Sequence, residues 1–386
     1  MKYLATIFLF LCVVIPTYAQ LWNPCHSGMT VMGGTYSCET YDDWVLVFED
    51  TFDGQSINGT VWKDDDDVHN RFCNSSEAQY YTDGDNLSVS NGILSIIAEE
   101  ESITAKTVDW KDEEDDLECG GTVVGKNEET FLFKSGQIQS KPEFVHGKFE
   151  IRCKIPSIEL LWPAFWLYGE CGQEIDVFEF LDESTNPSIA SKKVKFNYFR
   201  DVVCGDGASD CDYDYTTSTN MSLNMHTYSV EWDEHKLIWK VDGVTIRERY
   251  RFYEPTYGNP KTLCGNTDNE VWVQDLIYPK NDISMKIIAN LAVKDNSPAD
   301  FPVEMEIDYI RVYQRINSSN IVNICTESDI LGATVAGQDI IVGGSTCSAI
   351  TIENGEFLYL VAKNSVILSS NFEVEAGAIF SMSIDD

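Results

Sequence analysis

Basic residues are scarce in this chain. Twenty-seven lysines and arginines stand against 63 aspartates and glutamates, a formal net charge of −36. Such a surface is repelled by nucleic acid and by anionic membranes, so neither is an expected partner, and strongly anionic polysaccharides are disfavoured on the same ground. Beyond the first twenty residues there is no apolar run of bilayer-spanning length, which argues against membrane insertion. None of the twelve cysteines forms a C-x-x-C pair, which leaves a zinc site little support. A long amphipathic helical pattern is also missing, so a helical architecture is not expected.

What is present begins with MKYLATIFLFLCVVIPTYAQ, a lysine, a short apolar stretch and small residues around Thr17-Tyr18-Ala19. This reads as a secretory signal peptide over 1–19, followed by an N-terminal extension over 20–40, and it places the mature protein outside the cell or at its surface. Removal of Cys12 with the leader leaves eleven cysteines, an odd number in an oxidising compartment. Several disulfides and at least one spare thiol are therefore expected.

Short runs rich in Val, Ile, Tyr, Phe and Thr recur along the chain, among them WVLVFEDTF, GILSIIAEE, HGKFEIRCKI and MEIDYIRVYQ, with Gly, Asn, Asp and Pro between them. Regular short strands with turn signals indicate an all-β sandwich or barrel. Val241-Asp242-Gly243 lies between two such runs and reads as a hairpin turn. Composition changes near residue 316: all nine tryptophans precede it, no arginine follows Arg315, and INSSN (316–320) reads as a linker. Two units follow, a main domain over 41–315 and a small β-rich module over 321–386. The short alternating segments of the module look like rungs of a β-stack. It is expected to do no chemistry; its few aromatics, and acids that outnumber its one lysine, favour a spacer or secretion-linked element over a carbohydrate-binding domain, which is the alternative. A chain ending at Arg315 is expected to keep its activity.

GQEIDVFEF (172–180) sets Glu174, Asp176 and Glu179 among Ile175, Val177 and Phe178. The bare E-x-D-x-x-E spacing recurs at 113–118 (EEDDLE), which reads as a solvated acidic loop, and nearly recurs at 306–311 (EIDYIR), which reads as an ordinary strand. In a plain strand Glu174 and Asp176 share a face and Glu179 falls on the other. One extra residue at Val177-Phe178, a β-bulge, returns Glu179 to the face of the first two. Three aligned carboxylates suit retaining glycoside hydrolysis, in which one attacks the anomeric carbon and another protonates the leaving oxygen. A middle aspartate would keep the two glutamates at different pKa values. A calcium site and a solvent-facing edge strand fit the same spacing. Just upstream, LLWPAFWLYGE puts Trp166 and Tyr168 on one strand face where sugar rings could stack, and Trp162 in the same segment is a further substrate-binding candidate.

LLWPAFWLYGECGQEIDVFEF resembles the signature of glycoside hydrolase family 16. The resemblance runs in order through WVLVFEDTFDG (44–54), EAQYYTDGDNLSVSNGILSI (77–96), SGQIQSKPEFVHGKFEIRCKIP (135–156), MHTYSVEWDEHKLIWKVDG (225–243) and FPVEMEIDYIRVYQ (301–314). It implies a concanavalin A-like β-jelly roll, no cofactor for catalysis, and Glu174 as nucleophile, Asp176 as its assistant and Glu179 as general acid/base. The six-residue acid motif is the bulged form of laminarinase-like and agarase-like members. KFNYFRD (195–201) is similar to a cleft strand of the lichenase branch, which implies that Asn197 and Phe199 face the sugar, as does Asn290 in ANLAV. Gly172 and Ala292 stand where lichenases carry tryptophan.

Cys73 and Cys119 fall where lichenases have a disulfide, while Cys204–Cys211 and Cys325–Cys347 would each close a local loop. The resemblance also implies a structural calcium ion, held through Asp308 and a carbonyl near Gly92, although Thr51 stands where many members carry glutamate. The expected function is endo-acting cleavage of β-1,3 or mixed β-1,3/1,4 glucan by a monomer. A galactan hydrolase of the agarase or carrageenase kind and a non-catalytic lectin on the same fold are the alternatives. The full acid set argues against the lectin. The tail phrase VILSSNFEVEAGAIFSMSI resembles the ends of secreted proteins from Bacteroidetes-type bacteria.

Overall fold

The structure, a computed structural model, describes residues 29–31, 34–36, 43–316 and 321–384, apart from 65–67, 71–76, 110–117, 120–121, 124, 126, 182–185, 200–212, 254–272, 276–277, 295–296, 298 and 331. The leader, Cys73, Cys204, Cys211 and most of the acidic run at 113–118 lie outside the described residues, as does the side chain of Cys119.

Alternation builds the sandwich. In Gly147–Lys154 every second residue is buried, and Ile93–Ala98 shows the same rhythm, the mark of strands with one face on a core. One sheet runs in the order Asp214–Thr216, Lys193–Phe199, Gln173–Glu179, Leu161–Gly169, Met285–Val293, Gln137–Ser140 and Trp62–Lys63. The other runs Val244–Tyr250, Lys236–Val241, His226–Trp232, Gly147–Lys154, Val303–Ile316, Ile93–Ala98 and Leu87–Ser90, with Asp43–Asp50 also pairing Val303–Ile316. Between them lies a core of fully buried Phe149, Ile151, Phe165, Ile175, Phe178, Trp232, Trp239 and Ile287. The all-β sandwich expected from the strand pattern is the fold observed. Asp242 and Gly243 both have positive φ, 48° and 77°, and close the hairpin in which Val241 pairs Val244. Their mirror-image turn matches the twist of the flanking strands.

After residue 320 the pairing changes character. Ile321–Ile324, Thr334–Val342, Phe357–Leu368 and Ile379–Ile384 form one parallel sheet, and Ile350–Ile352 pairs in parallel with Phe372–Val374. These are successive rungs of a stack, each burying its apolar side chains on the next: Ile340, Val342, Ile350, Ile352, Leu358 and Leu360 form its core. A disulfide joins Cys325 to Cys347 across its first turn. Cys153, by contrast, is a free thiol buried in the sandwich, and burial pushes its pKa up.

The stack is not free-standing. Val361 belongs to the sandwich core, the Ala333 N–H donates to the Glu143 carbonyl at 2.6 Å, and Gly332 bridges to Phe144. Gly332 has φ +73°, and a Cβ there would meet the Glu143 carbonyl oxygen at 2.9 Å. Only glycine allows this approach without displacing backbone. Composition separates the two units, but packing joins them.

Candidate active site

The acids stand on Gln173–Glu179, between Leu161–Gly169 and Lys193–Phe199. Tyr168 pairs Glu174 and Trp166 pairs Asp176, but Phe165 then pairs Phe178 and Ala164 pairs Glu179. On the other side Asp176 pairs Asn197 and Glu179 pairs Lys195, three residues against two. Val177 is the extra residue of a β-bulge, and both it and Phe178 enter the core. The register shift puts Glu179 on the face of Glu174 and Asp176. A core side chain from the opposite sheet braces this geometry: Trp239 Nε1 donates to the Asp176 carbonyl at 2.8 Å.

Asp176 is 2 % exposed, and its Oδ2 faces no hydrogen-bond donor among the described residues. Burial, then the charges of Glu179 and Glu174, hold its carboxyl well above the usual aspartate range. A proton on Asp176, shared with the glutamates on either side, resolves both the charge and the missing partner. Burial also pushes Glu179 up. Donors to it from Trp162, Asp176 and Asn197, and the Lys195 ammonium, pull the other way. Trp162 Nε1 reaches Glu179 Oε1 at 3.0 Å and Asn197 Nδ2 reaches Oε2 at 3.4 Å.

Glu174, Asp176 and Glu179 share a pocket of about 180 Å³ with Trp162, Trp166 and Asn290. Trp166 Nε1 donates to Asn290 Oδ1 at 2.8 Å, and Asn290 Nδ2 donates to the Tyr81 hydroxyl at 2.9 Å, so the amide orientation is fixed. Tyr168, 42 % exposed, lies edge-on to Trp166 at 5.6 Å and carries the wall outward. Asn197 is buried beneath Glu179, its Oδ1 accepting from the Tyr213 N–H at 3.1 Å, so its amide holds the acid in place. Phe199 pairs Glu174 at the next strand and is half-buried.

Two contributors escape a reading of the acid motif alone. Glu77 lines the same pocket and accepts from Gln79 Nε2 at 2.7 Å, while Gln79 Oε1 accepts from the Val293 N–H. Alternation in Glu77-Ala78-Gln79-Tyr80-Tyr81 puts Glu77, Gln79 and Tyr81 on one face, a signal that could have found them.

Asp308 and Gly92 lie near each other, because Ile307 pairs Leu94 on the neighbouring strand. The Asp308 carboxylate accepts from the Arg152 guanidinium, a fixed cation in contact with it, and Gly92 sits by the Thr51 carbonyl and Asp53. No group of three or more His, Cys, Asp or Glu able to hold a metal occurs among the described residues.

The family model of glycosyl hydrolases family 16 matches residues 74–288. A glucan endo-1,3-beta-glucosidase A1 of Niallia circulans is 26% identical over 298 residues, 70% of this chain, which spans 38% of that relative's length. A beta-glucanase of Rhodothermus marinus is 25% identical over 74% of this chain and 91% of its own length. Among solved structures, the laminarinase catalytic domain of Thermotoga maritima superposes with a TM-score of 0.50 at 24% identity, covering 71% of this chain and 99% of that one, a likeness of fold. With more than half of its length matched by the family model, this chain belongs to glycosyl hydrolases family 16.

Proposed function

We propose that the protein is a secreted, endo-acting retaining hydrolase of β-1,3 or mixed β-1,3/1,4 glucan. The observation that carries this reading is the bulge at Val177, which sets two glutamates one carboxyl group apart, on either side of a buried Asp176. Two glutamates on one face with a carboxyl between them suit retaining enzymes, whose acids stand about 5–5.5 Å apart, better than inverting ones, whose wider gap admits a water. In the first step Glu174 attacks the anomeric carbon while Glu179, its pKa raised by burial, protonates the departing glycosidic oxygen. In the second, Glu179 takes a proton from water, which displaces Glu174 and restores both groups. Asp176 donates to Glu174 before attack and so limits its charge.

Two relatives with glucanase names support the substrate, as do the indoles of Trp162 and Trp166 beside the acids, since flat rings suit the apolar faces of glucose. The apolar leader at 1–19 supports export. A panel of laminarin, lichenan, agar and carrageenan tests the reading. Cleavage of the first two, lost in Glu174→Gln, is expected; cleavage of agar or carrageenan alone would overturn the substrate.

A further inference from the structure

The cleft does not end at the sandwich. Pairing across the sheet sets Asp176 beside Trp166, Trp166 beside Ile288, Ile288 beside Gln139 and Gln139 beside Lys63. This row lies on the sheet face opposite the core, and at about 4.8 Å per strand it carries Lys63 about 19 Å from Asp176. There a cavity of about 540 Å³ opens, of a size that takes small ligands. One wall is the sheet, with Lys63, Gln139 and Lys286. The other wall is the terminal stack, with Phe357, Gly377 and Ile379. Lys286 and Glu143 also line a neighbouring cavity bounded by Tyr168, whose ring lies beside Trp166 at the acids. A continuous surface thus leads from Glu174 to Phe357.

We propose that this cavity is a distal sugar-binding subsite of the cleft, completed by the C-terminal stack. The proposal rests on the glucanase reading above. A pyranose unit is about as long as one strand spacing, so the subsite takes a unit about three to four sugars from the cleaved bond. Phe357, half-buried and stacked on Tyr359 at 6.4 Å, offers a ring face to the apolar side of a sugar. Gln139 and Lys63 offer donors to its hydroxyls, and Lys63 is exposed with no ion-pair partner among the described residues. The docking of the stack through Gly332 and Val361 holds these two walls in register. Residues 321–384 are then part of the glucan-binding surface, not a spacer.

The test compares kcat/KM of the full-length wild type, Phe357→Ala and Lys63→Ala on β-1,3-gluco-oligosaccharides that stop short of the cavity and on ones long enough to reach it. The wild type should prefer the long ones. That preference should fall about threefold to tenfold in Phe357→Ala, the worth of one aromatic contact. Lys63→Ala changes an exposed side chain on the opposite wall, so it reads the same subsite without disturbing the stack. A reduced preference in either variant supports the proposal. An unchanged preference in both, or no preference for length in the wild type, overturns it. Failure of the wild type to cleave any β-glucan would instead defeat the substrate reading, and would be seen before any variant is compared.

Discussion

Trp162 donates its indole N–H to Oε1 of Glu179 at 3.0 Å, so the tryptophan that flanks the pocket also tunes the acid within it. The bond stabilises the carboxylate and lowers the Glu179 pKa, against the burial that raises it. In Trp162→Phe the burial remains and the donor is lost, so Glu179 should hold its proton to higher pH. The alkaline limb of kcat/KM, which reports loss of the proton from the general acid, should move up in pH. A limb that stays in place or moves down would show that Glu179 is not that acid.

Asp176→Asn separates charge from shape. The folded pKa of Asp176 is raised, so its contribution to stability is fully present below the ordinary aspartate value and is lost as pH rises through the folded value. Asparagine has no proton to lose. The Tm of the variant should therefore decline less than that of the wild type from acidic to neutral pH. Activity should fall by about 10- to 150-fold, the worth of a hydrogen bond to a charged group of about 1.5–3 kcal/mol. Parallel Tm profiles would contradict a protonated Asp176.

Trp239→Phe tests the brace behind the bulge. Its loss leaves the buried Asp176 carbonyl without its donor, at a cost of about 1–3 kcal/mol. Denaturant unfolding should show that loss, and kcat should fall with it, because the carbonyl belongs to the bulge that aims the acids. Unchanged kcat would show that the bulge holds without Trp239.

The Cys325–Cys347 disulfide closes a loop with a sequence separation of 22. Replacing both cysteines by serine should lower the stability of the terminal stack by about 2–4 kcal/mol, read as earlier loss of protection from hydrogen exchange over 321–384. Equal protection with and without the bond would contradict this.

The acid strand was legible because a bulge leaves a trace in the sequence: the spacing of Glu174, Asp176 and Glu179 is one residue too long for a plain strand, and Val177 and Phe178 are both apolar. The sandwich was legible from alternation such as that in Gly147–Lys154. Other features rest on partners far apart in the chain, to which local periodicity is blind. Trp239 meets Asp176 across 63 residues, and Asn290 meets Tyr81 across 209. Asn197 has the alternation of a cleft residue, yet it is buried, because Glu179 and the Tyr213 N–H take its amide. The docked stack was hidden for another reason: the composition break at 316 marks a change of strand pairing, not a gap in packing. The ion pair of Arg152 with Asp308 is as remote in sequence, joining residues 156 apart.

Double displacement by Glu174 and Glu179 is written into the anomeric configuration of the first product. Proton NMR of a β-glucan digest, recorded before mutarotation mixes the anomers, should show the β-anomer as the initial reducing end, with configuration retained. An initial α-anomer would mean a single displacement by water, and would contradict Glu174 as nucleophile.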